Sequence, residues 1–234
     1  MYRGVEIRPP FFEIGPKAYT FGAEMLRIAV RADELSREYD VQIIVDPQYV
    51  DIPIIAQRVE RALVFAPHMD SLERGRGQGS VLPEAVKAAG AVGVLLNHVE
   101  RRLSRAELAR TISRADEVGL ATMVCTDDVD EAVSVAELGP NIIVVESPEL
   151  IGTGGGTAND SASIVATDEA IWSVNPDIRV LHGAGIGCAQ DVFDVIAAGA
   201  QATGSSSGVF KAADPEAMLE AMIRAAREAW DARN

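Results

Sequence analysis

Short apolar runs recur along the chain, separated by longer stretches in which apolar residues return every three or four positions. The runs 41–45, 62–66, 92–96, 121–125, 141–145 and 178–181 are short and almost continuously hydrophobic, and most are rich in β-branched residues. That pattern predicts parallel strands covered on both faces. Two weaker runs, 10–14 and 200–204, add a first and a last strand. Between them, residues 22–39 place Met25, Ile28, Ala29, Ala32 and Leu35 on one helical stripe. Residues 104–118 open with Ser104-x-x-Glu107 and stop before Gly119, a capping box and a C-terminal glycine. A helix over 191–198 ends at Gly199. Asp214-Pro215-Glu216 opens a last helix that runs to residue 230.

Strands alternating with helices imply parallel pairing through right-handed crossovers. Eight such units in 234 residues leave roughly 29 residues each, near the small end of the range for a closed (β/α)8 barrel. The expected fold is therefore α/β, a single barrel domain over residues 1–234 with its active site at the carboxyl ends of the strands. From pattern alone, a doubly wound open sheet is the rival.

Composition narrows the function classes. Hydrophobic residues make up 48% and charged residues 24%, as in globular proteins. The net charge of −14 argues against nucleic acid as a partner, because that requires Lys and Arg to replace phosphate counterions. A small anion remains acceptable, since a local site can be positive inside an acidic protein. Cys125 and Cys188 form neither a disulfide framework nor a metal motif. The first ten residues carry Arg3, Glu6 and Arg8 rather than the apolar run of a signal peptide, and no stretch is apolar enough to span a membrane. These features predict a cytoplasmic protein with no membrane partner, no metal and no cofactor.

In either α/β architecture, ligands bind at the carboxyl ends of strands. The residues that follow the apolar runs are Gly15-Pro16-Lys17, His68, Asn97-His98, Thr126-Asp127, Glu146, His182 and the 205–208 Ser-Ser-Ser-Gly run. All three histidines of the chain sit at strand ends. Glu146 closes four apolar residues, a setting that desolvates a carboxylate and suits a general base. After it, Ser147-Pro148 and the glycines at 152 and 154–156 have the composition of a lid loop. Gly183-Ala184-Gly185, with Ser206, Ser207 and Gly208 after the next strand, lets backbone N–H groups approach an anion.

The motifs 95–102 (Leu-Leu-Asn-His-Val-Glu-Arg-Arg), 145–154 (Val-Glu-Ser-Pro-Glu-Leu-Ile-Gly-Thr-Gly) and 183–186 (Gly-Ala-Gly-Ile) together resemble triosephosphate isomerase, most closely its short archaeal-type form. Supporting stretches are 81–87 and 118–125, and the resemblance runs collinearly from Phe12 to Ile223. It implies a barrel and an aldose–ketose isomerase of a short phosphorylated sugar, working through an enediolate in glycolysis and gluconeogenesis. It implies Glu146 as the proton-shuttling base, His98 as a neutral electrophile and Lys17 as the cation that holds enediolate and phosphate. Gly152, Gly183, Gly185, Ser206, Ser207 and Gly208 correspond to the phosphate grip, with His182, Gln78 and Glu100 as accessory positions. A homodimer or homotetramer is the implied assembly, with its contact over residues 74–80.

The chain departs from that pattern at the first strand, where Asn-x-Lys reads Gly15-Pro16-Lys17. Glycine makes no hydrogen bond to substrate, and Pro16 removes an N–H donor. In the third loop, Thr-Gly reads Gln78-Gly79; Val99 replaces a serine, and His182 stands where tyrosine or cysteine is usual. Three readings follow: a triosephosphate isomerase, an isomerase of a related ketose phosphate such as a tetrulose phosphate, or a non-catalytic phosphate-binding barrel.

Overall fold

The computed structural model describes residues 1–146, 161–183 and 185–233. Eight strands alternate with helices: β1 (Phe11–Ile14), β2 (Gln42–Val45), β3 (Leu63–Ala66), β4 (Gly93–Leu96), β5 (Ala121–Thr126), β6 (Ile142–Val145), β7 (Arg179–His182) and β8 (Ala202–Gly204). The described helices are α1 (Gly22–Tyr39), α2 (Ile52–Ala56), α3 (Pro83–Ala88), α4 (Arg105–Val118), α5 (Val129–Ala136), α6 (Ser161–Val174), α7 (Ala189–Ala197), α8 (Ser207–Phe210) and α9 (Pro215–Arg233). Every ladder is parallel, in the order β7-β6-β5-β4-β3-β2-β1-β8. At the remaining seam, side chains join β7 to β8: Thr203 Oγ1 donates to the His182 carbonyl at 2.8 Å, and Val180 N–H donates to Gln201 Oε1 at 3.2 Å. The strands thus form a nearly closed barrel, and the open-sheet rival falls.

The period of two along each strand sorts side chains between two apolar layers. Phe12, Ile14, Ile43, Val45 and Val64 face the helices and join their buried stripes. Phe11, Ile44, Phe65, Met123, Ile142, Val144 and Leu181 form the separate core within the barrel. Gly93 is glycine because the Phe65 ring occupies the space a Cβ would need, at 2.4 Å.

The α1 stripe is buried as the spacing requires, with one addition. Asp33, 6% exposed, accepts hydrogen bonds from the backbone N–H groups of Glu60, Arg61 and Ala62 at 2.9, 2.6 and 2.8 Å. It thereby clips the turn that enters β3. The α4 cap is also present: Ser104 Oγ accepts from the Glu107 N–H at 3.3 Å, and Gly119 takes a left-handed φ of 80°. No helix among the described residues is long and apolar enough to cross a membrane.

Candidate active site

The same parity that fills the barrel with apolar side chains turns polar ones inward at its carboxyl rim. A cavity of about 340 Å³ opens there, lined among others by Lys17, His98, Glu100, Glu146 and Ser206. Sequence reasoning named those five as site candidates. The cavity also takes in Glu13, Asp46, Gln48, Tyr49, His68, Arg101 and Cys125.

Lys17 follows β1 and adopts a left-handed φ of 47°, an uncommon conformation for a lysine and a form of strain that clusters at working sites. Its carbonyl accepts a hydrogen bond from Gln48 Nε2, which holds the turn in place. Its ammonium lies 3.6 Å from Glu100 Oε1. Because Glu100 is well exposed, that pair is weak and gives way readily to an incoming anion.

His98 is aimed by the residue before it. Asn97 is buried and left-handed, at φ 59°. Its amide donates to the Cys125 carbonyl at 2.9 Å and to Glu131 Oε1 at 3.2 Å, while its Oδ1 accepts from the Leu103 N–H at 3.0 Å. The His98 Nδ1 accepts from the Glu100 N–H at 3.2 Å. A ring nitrogen that accepts carries no proton, so in the neutral ring the proton sits on Nε2. Burial, and then the Lys17 charge, lower the His98 pKa to about 4. At neutral pH the ring is therefore uncharged and offers one N–H donor.

Glu146 follows β6 directly, with its N–H bonded to the Thr126 carbonyl at 3.0 Å. Its carboxylate packs over the β7 end: a Cβ on Gly183 would lie 2.7 Å from Glu146 Oε1. Only glycine at 183 leaves this carboxylate its place. Gly152 and the proposed lid, like Ala184, lie outside the described residues.

The other phosphate-grip positions surround the rim after β7 and β8. Gly185 has a left-handed φ of 74°. Ser205 Oγ donates to the Ile186 carbonyl at 2.7 Å, tying the two loops together. Gly208 fits between them because a Cβ there would lie 2.6 Å from Ser205 Oγ and 2.8 Å from the Ile186 oxygen. Ser207 and Gly208 sit in the short helix α8, with Ser206 at its cap.

Two accessory candidates stand apart from the cavity. His182 is buried, with Nε2 2.8 Å from Asp168 Oδ1 on α6, so its ring is turned toward that helix. Gln78 is exposed on the loop between β3 and α3, in a shallow surface hollow with Gly75, Arg76, Gly77 and Gly79.

The largest feature that sequence reasoning missed lies beneath Gly15. A Cβ at that position would meet Glu13 Oε1 and Asp46 Oδ1, each at 2.7 Å. The two carboxyl groups lie within hydrogen-bond reach of each other. Burial raises both pKa values, Asp46 the more strongly, and the charge of Glu13 raises that of Asp46 further. The pair therefore retains a proton into a range where isolated carboxyls have lost theirs. A period-two signal was available: Glu13 interrupts Phe11-Phe12-Glu13-Ile14 on the inward parity, and Asp46 continues the parity of Ile44. Nearby, His68 Nε2 lies 3.3 Å from Asp70 Oδ1, and burial lowers its pKa. Tyr49 OH donates to the His68 carbonyl at 3.1 Å, and burial moves its pKa up to about 12.

Comparison with known proteins agrees with this geometry. The family model described as triosephosphate isomerase matches residues 16–222. A triosephosphate isomerase of Methanobacterium bryantii is 41% identical over 199 residues, covering 85% of this chain and 88% of its own length. That of Sulfolobus acidocaldarius is 38% identical over 231 residues, covering 97% and 99%. The crystal structure of triosephosphate isomerase from Bartonella henselae superposes with a TM-score of 0.71 at 16% identity, over 94% of this chain and 99% of that one.

Proposed function

The chain belongs to the triosephosphate isomerase family, and from that membership we propose that it interconverts dihydroxyacetone phosphate and glyceraldehyde 3-phosphate through an enediolate. One observation carries the reading of the site. A base, a neutral N–H donor and a cation (Glu146, His98 and Lys17) line a single cavity at the barrel's carboxyl rim.

The Glu146 carboxylate removes a proton from the carbon beside the substrate carbonyl. The electron pair of the broken C–H bond forms the C=C bond of the enediolate, and charge moves onto the carbonyl oxygen. The His98 Nε2–H donates to that oxygen, and the Lys17 ammonium stabilises the charge in a partly dehydrated site. His98 passes its Nε2 proton to the former carbonyl oxygen and takes the proton of the adjacent hydroxyl, which moves the charge to the neighbouring oxygen. As that oxygen becomes the new carbonyl, protonated Glu146 returns its proton to the neighbouring carbon, completing the exchange of ketose for aldose. A neutral imidazole suits this step, because its N–H pKa is closer to that of an enediol than an imidazolium's is. Gly185, Gly152 and the Ser206–Ser207–Gly208 turn supply backbone N–H groups for the phosphate, whereas the Gly183 N–H, expected in the same role, donates to the Val145 carbonyl at 3.1 Å and is not available.

We also read the whole chain as one cytoplasmic barrel domain that self-associates. The unpaired thiols Cys125 and Cys188 suit a reducing compartment. Tyr19, Phe21 and Val50 on neighbouring loops, and Ile54 on α2, expose apolar surface, which suits a contact between copies.

A coupled assay with glyceraldehyde 3-phosphate tests the activity. The wild-type protein should turn it over, and Glu146→Gln should lower kcat by about 10²–10⁴-fold, the usual contribution of a positioned base. Little change in KM is expected. Wild-type protein that binds phosphate esters but exchanges no substrate proton with solvent refutes the reading.

A further inference from the structure

The reaction assigned above makes no use of His182, although it ends the strand that carries Gly183. Along β7, Val180 belongs to the core beneath the helices and Leu181 to the core within the barrel. Alternation therefore turns His182 outward and Gly183 inward. The outward ring meets Asp168, Nε2 to Oδ1 at 2.8 Å, with the two residues 1% and 3% exposed. A carboxylate oxygen accepts, so Nε2 carries the proton. Asp168 lies on the buried face of α6 between Ile164 and Ile171, where the helical stripe calls for an apolar residue. A buried polar pair of this kind seldom stabilises a fold more than apolar side chains of similar volume would. What it supplies instead is a bond of defined length and direction between α6 and the end of β7.

We propose that the His182–Asp168 bond positions the base: it fixes the end of β7 so that Gly183 lies against Glu146 and sets where that carboxylate stands. The inference rests on the isomerase reading above and adds two positioning residues to the same site. The end of β7 needs an anchor because it borders the seam, where no backbone ladder joins β7 to β8 among the described residues. Three bonds meet there. The His182 ring is held by α6, its carbonyl accepts from Thr203 Oγ1 of β8 at 2.8 Å, and the Gly183 N–H donates to the Val145 carbonyl of β6 at 3.1 Å. Of these, the ring bond alone reaches the helix layer. The backbone so fixed touches the base directly: a Cβ at 183 would come within 2.7 Å of Glu146 Oε1 and 2.9 Å of its Cγ. Any inward movement of this backbone therefore displaces the carboxylate. The phosphate grip beyond it has its own tie, Ser205 Oγ to the Ile186 carbonyl at 2.7 Å. Loss of the His182–Asp168 bond should thus be felt at the base and not at the phosphate.

The test uses the full-length protein, with glyceraldehyde 3-phosphate as substrate and inorganic phosphate as inhibitor. His182→Leu combined with Asp168→Leu keeps the space filled and apolar, so the chain should fold. Its kcat should fall about 10- to 100-fold, as for a reacting group misplaced by about 1 Å or less, while KM and inhibition by phosphate stay as in wild type. His182→Gln and Asp168→Asn, each able to keep a hydrogen bond between the two positions, should retain most of kcat. Gly183→Ala tests the second step without touching the core, and serves even where the double variant does not fold: its added Cβ should displace Glu146 and lower kcat in the same way. Wild-type kcat in the double variant or in Gly183→Ala overturns the inference. So does a loss in the Gln and Asn variants equal to that in the double variant. A fall in kcat matched by an equal weakening of phosphate inhibition also overturns it, being the mark of a rim displaced as a whole. In all these cases active wild-type protein leaves the isomerase reading standing. Wild-type protein inert toward the triose phosphate removes both.

Discussion

The Glu13–Asp46 pair and His98 make the stability of the fold depend on pH in opposite senses. Both carboxyls have pKa values above their ordinary range. The folded chain therefore binds more protons than the unfolded one at any pH above about 4 and below the pair's own titration, and stability falls as pH rises through that window. His98 acts in the other direction. With its pKa lowered to about 4, the unfolded chain binds the extra proton between about 4 and 6.5, so this residue makes stability rise with pH across that range. The two effects separate by substitution. Asp46→Asn removes the second buried charge, and thermal unfolding should show a Tm gain over wild type that grows as pH rises above about 4. A gain independent of pH would mean the pair shares no proton. An imidazole 15N titration should find His98 neutral, with Nε2 protonated, down to pH 5. A site residue whose removal stabilises the fold is what a functional constraint looks like.

At the scale of elements, the fold was readable from the chain because each strand is short, apolar and bounded by polar residues. The expected 41–45 run is β2 over Gln42–Val45, and 178–181 is β7 over Arg179–His182; the ends shift by one residue because the ladder, not the apolar run, sets them. The strand-end candidates Lys17, His98 and Glu146 were picked out for the same reason, and the structure brings the three to one cavity. Less legible were partners joined only by tertiary structure: Asp33 with the turn at residues 60–62, His182 with Asp168, Glu13 with Asp46. Gly15 read as a lost asparagine, whereas the structure shows the vacated space filled by two carboxyls. The β4–α4 connection shows how an element aims a side chain. Asn97→Ala deprives the buried Cys125 carbonyl and the Leu103 N–H of partners, and should cost about 1–3 kcal/mol in denaturant unfolding. It also puts a Cβ residue less suited than asparagine into a left-handed backbone. Since Asn97 positions His98 without touching substrate, kcat should fall more than KM rises. Asn97→Gly, which relieves the backbone strain alone, should recover part of kcat and of the stability, but not the share that belongs to the lost hydrogen bonds. Equal kcat for all three proteins would show that His98 holds its place unaided.

For the whole molecule, the net charge of −14 and the apolar loops after β1 and β2 pull against each other. Phe21 is 73% exposed and Val50 80% exposed, and the Gly22 N–H bond to Asp51 Oδ2 at 2.9 Å ties their loops together. Such side chains are stable in water only at a cost that contact between copies would relieve. Two copies each carrying −14 repel, and salt screens that repulsion as the Debye length drops from about 10 Å at 0.1 M to about 3 Å at 1 M. Association through these loops should therefore tighten with salt, opposite to an interface held by ion pairs. Sedimentation equilibrium at 0.05 and 0.5 M sodium chloride measures this: wild-type protein should form the larger species at the higher salt, and Phe21→Ser with Val50→Ser should shift it toward monomer at both. These loops continue from Lys17 and Gln48, whose hydrogen bond shapes the cavity wall. Dissociation should accordingly lower kcat/KM together with assembly state, whereas a monomer as active as the wild-type oligomer would show that each barrel completes its site alone.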